Sequence, residues 1–273
     1  KGSALLERIK AEGKNSPADI FFTVDAGNLW KVQKENLLQS ITSTKVLDSV
    51  PDNLKGPDNQ WTAIAKRARA IFYNPLMVEE TEINNLNYED LADSKWKNRI
   101  VIRSSNNMYN QSLVASLIAN LGETQTESWA KKLVSNFARK PQGNDRSQIM
   151  AVANGEADIA IANSYYIGIM LSGSAGEEQL NAAKKVKMLF PNQDNRGVHI
   201  NISGAGILKY APNVENANLF LEFLLSKKAQ KYMVEKSYEY PVLEGILPSK
   251  EIASFGLDFV EDQISVKQFG ELN

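Results

Sequence analysis

The sequence predicts an α/β fold, and three observations lead there. Short apolar runs with strand character alternate with stretches of helical spacing from residue 18 onward. The 273 residues, 43% of them hydrophobic, can bury either one large core or two modest ones. The runs end at turn signals, and no internal repeat or low-complexity linker separates them. Such alternation favours largely parallel sheets. Two strand-like crossings, near 66–74 and 196–204, are the candidates for connections between two lobes.

In chain order, Leu5, Leu6 and Ile9 have helical spacing, and Gly13 ends that helix. ADIFFTV (18–24) reads as a buried strand and GNLWKVQKENLL (27–38) as a helix. A short helix near 42–49 stops before Pro51. WTAIAKRARAIFYNP (61–75) reads as a long strand closed by Asn74-Pro75, and RIVIR (99–103) as another. SSNNMYNQSLVASLIANLGE (104–123) is a polar strand-end loop followed by a helix that closes at Gly122. Helices at about 126–138 and 145–154 lead to a strand at 158–162 and then to Tyr165 and Tyr166. VKMLFP (186–191) and HINISGAGIL (199–208) read as strands, and 213–236 as two helices.

Composition removes several classes of function. With 31 basic and 32 acidic residues, and no basic run interleaved with aromatics, nucleic acid is not an expected partner. Apolar stretches such as LVASLIA (113–119) fall short of the roughly 20 residues a bilayer span needs, so a soluble protein is expected. The absence of Cys excludes disulfides, thiolate nucleophiles and sulfur-ligated zinc, and the single histidine excludes a multi-histidine metal site. No nucleophile elbow, phosphate-binding loop or H-E-x-x-H motif occurs, so catalysis is not expected. His199 reads as structural and SGAG (203–206) as a tight strand corner. Arg67 and Arg69 share one side of their strand and, if buried, require a partner anion.

Three tyrosines remain. Tyr109 follows the strand RIVI, and Tyr165 and Tyr166 follow ADIAIA. Ligands in open α/β sheets bind beyond the carboxyl ends of strands, so the three phenols can face one crevice. A phenol ionises only near pH ~10, but a trivalent cation can strip its proton. Phenolate is a hard oxygen donor that suits Fe(III). Three phenolates balance that charge, and a further anionic ligand would reward a guanidinium such as that of Arg69. From the residues alone, core or rim aromatics with one hydrogen bond each remain the commoner use of adjacent tyrosines.

SSNNMYNQSLVASLIANLGE, NGEADIAIANSYYIG, HINISGAG and FLEFLLSKKAQKYM…YEYPV strongly resemble the ferric-ion-binding periplasmic proteins that deliver iron to ABC importers. PADIFFTVDAGNLWKVQKENLL and WTAIAKRARAIFYNP match the first lobe of the same family. The resemblance implies a two-lobed type II periplasmic-binding-protein fold. Lobe I would comprise 1–70 and about 197–245, and lobe II about 71–196 and 246–273. It implies Fe(III) ligation by Tyr165 and Tyr166. The tyrosine-rich branch adds Tyr109 and places Arg69 near the site. The other branch uses a glutamate that aligns with Val24, so the tyrosine-rich branch fits better. A monomeric periplasmic protein with an ABC permease as partner is implied too, its export signal removed.

Family members begin with a strand, a ligand-bearing loop, a helix and a second strand. This chain starts after them, at GSALLERIK, so the remaining ligands are expected upstream of Lys1. A synergistic anion such as carbonate is a further expectation, with SSNN (104–107) able to hold it. Helix capping by Ser104, Ser105 or Asn106 is the alternative use of that stretch. Two other readings keep part of this picture. One is a solute-binding protein for a polyamine or other organic cation, with Asp25 as its acidic contact. The other is an iron-sequestering protein inside the cell. An enzyme using Tyr beside Arg69 lacks any accompanying cofactor motif.

Overall fold

The computed structural model describes residues 2–272. Helix α1 (Gly2–Glu12) ends where Gly13 takes a positive φ, and it lays Leu6 and Ile9 against the first of two cores. Strand β1 (Ile20–Val24) leads into α2 (Ala26–Lys34), whose N-terminus is capped by the Asp25 carboxylate. The short strand β2 (Leu38–Gln39) and helix α3 (Thr44–Ser49), capped by Ser43, complete this part. The chain then crosses as β3 (Trp61–Tyr73) and passes through α4 (Glu80–Ile83) to β4 (Ile100–Val101). Helices α5 (Met108–Leu121), α6 (Glu123–Ser135) and α7 (Asp145–Ala153) follow. Strand β5 (Ile159–Asn163) precedes α8 (Tyr165–Leu171), α9 (Glu177–Ala183) and β6 (Lys187–Leu189). The chain returns as β7 (Ile200–Leu208) into α10 (Val214–Leu224) and α11 (Lys227–Ser237). It ends with β8 (Tyr240–Pro241), α12 (Lys250–Ala253) and α13 (Val266–Glu271).

The sheet order is β1-β7-β3-β5-β4, with β2 on β7 and both β6 and β8 on β3. β3 serves both halves. Its first part pairs with β7 from Trp61↔Gly206 to Ala68↔Ile200, and its second with β5 from Arg69↔Asn163 to Tyr73↔Ile159. The change of partner falls between Ala68 and Arg69. Every residue of β3 except Lys66 and Tyr73 is buried, which explains its nearly continuous apolar run.

The expectation of largely parallel sheets is corrected. Of the pairings between these strands only β4–β5 is parallel. Burial on both faces produces the same apolar runs in either direction, so the pattern reports burial and not strand sense. β3 and β7 cross in opposite directions and therefore pair antiparallel with each other.

Two cores flank the crossing. One gathers Leu29, Val46, Trp61, Ile202 and Phe269; the other gathers Ile71, Trp96, Ile100, Leu117 and Ile161. The segment 246–273, expected with the second lobe, is divided. Ile252 of α12 packs in the second core, whereas Val266 and Phe269 of α13 pack in the first. SGAG is likewise not a corner but lies mid-strand in β7. There a Cβ on Gly204 would lie 2.7 Å from Leu29 Cδ1, and one on Gly206 2.6 Å from the Gln60 carbonyl oxygen. Close approach of neighbouring backbone, not a turn, requires these glycines. Gly206→Ala is expected to lower stability by about 1–3 kcal/mol, because the atom it meets is backbone. Urea denaturation measures this, and an unchanged midpoint would refute the packing argument.

Candidate metal centre at the tyrosine cluster

The one parallel strand pair delivers the tyrosines. Beyond the carboxyl end of β4, residues 102–107 turn into α5, and Asn107 caps that helix by accepting from the Tyr109 amide at 3.0 Å. The expected cap at Ser104, Ser105 or Asn106 thus falls at Asn107; Ser104 Oγ instead accepts from the Asn106 amide at 3.4 Å. Beyond the carboxyl end of β5, Ser164 locks onto β3. Its amide donates to the Ala68 carbonyl at 2.9 Å, and its hydroxyl accepts from the Ala68 amide at 3.2 Å. Tyr165 and Tyr166 follow at once as the first turn of α8. The Tyr165 hydroxyl lies 3.4 Å from that of Tyr109, and the Tyr165 and Tyr166 rings are 4.2 Å apart at 31°. All three are partly exposed.

Three buried or half-buried arginines surround them. The Arg67 guanidinium lies 5.6 Å from the Tyr109 ring centre and that of Arg103 5.3 Å away. Arg67 donates to Glu239 at 3.2 Å and to the Ile202 carbonyl. Arg69 donates to Asp145 at 2.5 Å, Asn110 at 2.6 Å and Asn163 at 3.1 Å. Arg103 holds the other oxygen of Asp145 at 2.7 Å. Asp145 itself is fully buried.

Burial pushes the Tyr165 phenol well above its ordinary range, and the neighbouring phenols Tyr109 and Tyr166 add to that, while Arg67 opposes it. Burial also raises Tyr166, against the pull of Arg103. Burial resists the charge on Arg67, but Glu239 first, then Tyr165 and Asp25, hold its pKa above the usual value. The two shifted phenols therefore keep their protons near neutrality. Among the described residues no group of three or more His, Cys, Asp or Glu side chains could hold a metal ion; phenol oxygens are hard donors of the kind that suits Fe(III).

The structure brings Tyr109, Tyr165 and Tyr166 together. Arg69 sits behind them, spent on Asp145, Asn110 and Asn163, while Arg67 and Arg103 face the Tyr109 ring. Arg103 and Asp145 are the participants that sequence reasoning missed. Nothing local in the sequence marks either one; their pairing in the interior gives them a role. Asp25, the acidic residue considered for an organic cation, is fully buried. It accepts from the Gly27 amide at 3.0 Å, Ser112 at 2.9 Å and Asn201 at 2.8 Å. His199 is buried edge-on to Phe269 at 5.0 Å, and its ring nitrogens have no hydrogen-bond partner among the described residues.

Residues 15–261 match the profile of the bacterial extracellular solute-binding proteins. The chain belongs to that family. It is 50% identical over 270 residues to iron uptake protein A1 of Synechocystis sp., covering 99% of this chain and 74% of the relative. It is 30% identical over 248 residues to the major ferric iron-binding protein of Neisseria meningitidis, covering 89% and 71% respectively. A Trichodesmium IdiA/FutA structure, in complex with iron and citrate, superposes with a TM-score of 0.95 at 51% identity, over 100% of this chain and 85% of that one. Apo FutA2 of Synechocystis superposes with a TM-score of 0.94 at 44% identity, over 99% and 85%. The fold of this solute-binding protein is accordingly that of the type II periplasmic binding proteins.

Two expectations follow from the charged interior. Asp145→Ala strands Arg69 and Arg103 without their shared carboxylate and is expected to cost about 3–5 kcal/mol of stability; chemical denaturation measures it. Burial first, then Arg69, Arg67 and Arg196, push the His199 pKa down to about 3. The imidazole is neutral when folded and takes up a proton on unfolding below its ordinary pKa of 6.5. Its contribution is therefore complete above that pH and lost as pH falls toward the folded value, with a slope of up to ~1.4 kcal/mol per pH unit. His199→Gln should flatten this acid limb in denaturation series between pH 7.5 and pH 4.5, and an unchanged limb would contradict the assignment.

Proposed function

We propose that this solute-binding protein captures ferric iron between two lobes, with Tyr109, Tyr165 and Tyr166 as tyrosinate ligands, and delivers it to an ABC permease. The observation that carries the proposal is the meeting of three phenols from two chain segments, with the Tyr109 and Tyr165 hydroxyls 3.4 Å apart beneath Arg67 and Arg103. The relatives named for ferric iron binding and iron uptake support it. So does the iron in the Trichodesmium structure.

Three phenolates offset the charge of Fe(III) and occupy half of an octahedral shell. Other oxygen donors take the rest, an exogenous anion such as carbonate or citrate among them. Closure about β3 and β7 buries the ion, and the closed form is what the permease reads. Arg67, Arg69 and Arg103 offset surplus anionic charge in that state. Capture takes place in the periplasm, and the protein acts there as a monomer. An organic cation is less well served, because Asp25 is buried and already accepts hydrogen bonds from three other groups.

Iron loading from ferric citrate should produce a visible phenolate-to-iron charge-transfer band. Tyr165→Phe with Tyr166→Phe should abolish it and weaken affinity by more than the roughly 10–100-fold typical of an outer-shell partner. Iron bound without colour, or unaffected by the double substitution, would refute the proposal. Saturable spermidine binding in calorimetry would favour the organic-cation reading instead. Because Tyr165 and Tyr166 are held protonated before binding, acid competes with iron. Affinity measured by citrate competition should fall steeply from pH 8 to pH 5, and a flat profile would exclude phenolate ligands.

A further inference from the structure

A cavity of about 350 Å³ opens beside the tyrosine cluster, between α5, α6 and the segments that follow β4 and α6. Its walls are hydrocarbon and aromatic, from Leu113, Trp129, Leu133 and Phe137. The indole N–H of Trp129 is already committed to the Tyr88 carbonyl at 2.8 Å, so the ring offers the cavity only apolar surface. The polar end is cationic. Arg103 and Lys140 stand there with Ser104 and Ser105. Arg103 is already paired with Asp145 and its Nε is buried without a hydrogen-bond partner among the described residues, while the exposed Lys140 forms no ion pair among them.

We infer that this cavity is a second ligand site, and that its ligand class is an amphipathic monocarboxylate. The tail lies along Trp129, Leu133 and Phe137, and the carboxylate meets Lys140 and the outer edge of Arg103. A neutral hydrocarbon would leave the cationic end without a counter-charge. A small polycarboxylate would leave the apolar wall in water. The volume falls within the range of ordinary small-molecule pockets, which are likewise mostly apolar with a few convergent polar groups. None of the three phenols lines the cavity; Arg103 borders both sites, so the test rests on Lys140 and Ala130, which the ferric reading does not use.

The test uses iron-free protein and sodium decanoate, followed by calorimetry and tryptophan fluorescence, with decanol and butyrate as the tail-only and head-only probes. The expected result is saturable one-to-one binding of decanoate, with both control probes roughly tenfold weaker or worse, the worth of one charge-assisted contact or of the buried chain. Ala130→Trp fills the cavity and should abolish binding. Lys140→Gln, at an exposed position, should weaken decanoate roughly tenfold and leave decanol unchanged. No saturable binding, equal binding of decanoate and decanol, or undiminished binding in a folded Ala130→Trp protein would each overturn the inference. If Ala130→Trp does not fold by circular dichroism, Lys140→Gln decides: unchanged decanoate affinity overturns it. Neither substitution touches a phenol, so this result is separable from the fate of the iron reading.

Discussion

A single buried carboxylate, Asp145, grips two guanidiniums at once, and the geometry of the tyrosine cluster depends on that grip. Arg69 comes from the long crossing strand β3 and Arg103 from the loop that leads to Tyr109. Arg69 then reaches Asn110, next to Tyr109, and Asn163, two residues before Tyr165. The crossing strand and both tyrosine-bearing segments are thereby fixed to one another. Removing two charges from water costs more than a single ion pair returns, so such a group is poor evidence of stability. Its value here is positional. Two cations against one anion also leave positive charge beside phenols that would ionise on binding a ferric ion.

β3 adds a second constraint. Residues two apart on a strand face the same side, so Arg67 and Arg69 share the side of the tyrosine cluster, Arg67 against the Tyr109 ring and Arg69 on Asp145, while Lys66 turns away to pair with Glu261 at 2.7 Å. The partner of β3 changes between Ala68 and Arg69, which places the two arginines on opposite sides of the handover from β7 to β5. Bending at this point would move Arg67 relative to Tyr109 and leave Arg69 locked to Asp145. The chemistry of capture and the mechanics of closure would then share one strand.

Much of this was legible in the residues. The strand ADIAIA, the turn after it and the tandem Tyr165-Tyr166 identify their own position, because period, turn chemistry and residue type agree there. Tyr109 is readable for the same reason. What failed to show was whatever depends on tertiary pairing. Apolar runs carry no strand direction, so antiparallel pairing was read as parallel. The helix carrying Val266 and Phe269 crosses back to the first core, which no local signal announces. The glycines of SGAG looked like a turn, but they mark where Leu29 and the backbone at Gln60 press against β7. Asp145, at the start of α7, carries no local mark of its role. Its burial between two arginines distinguishes it, and burial of a charged residue is invisible until its partners are known.

The measurement closest to the central claim is resonance Raman spectroscopy of the iron-loaded protein, excited within its visible absorption band. Tyrosinate ligation predicts enhanced phenolate ring and C–O modes, diminished by Tyr109→Phe and lost when Tyr165 and Tyr166 are also replaced. Iron bound at full occupancy without enhanced phenolate modes would contradict the account.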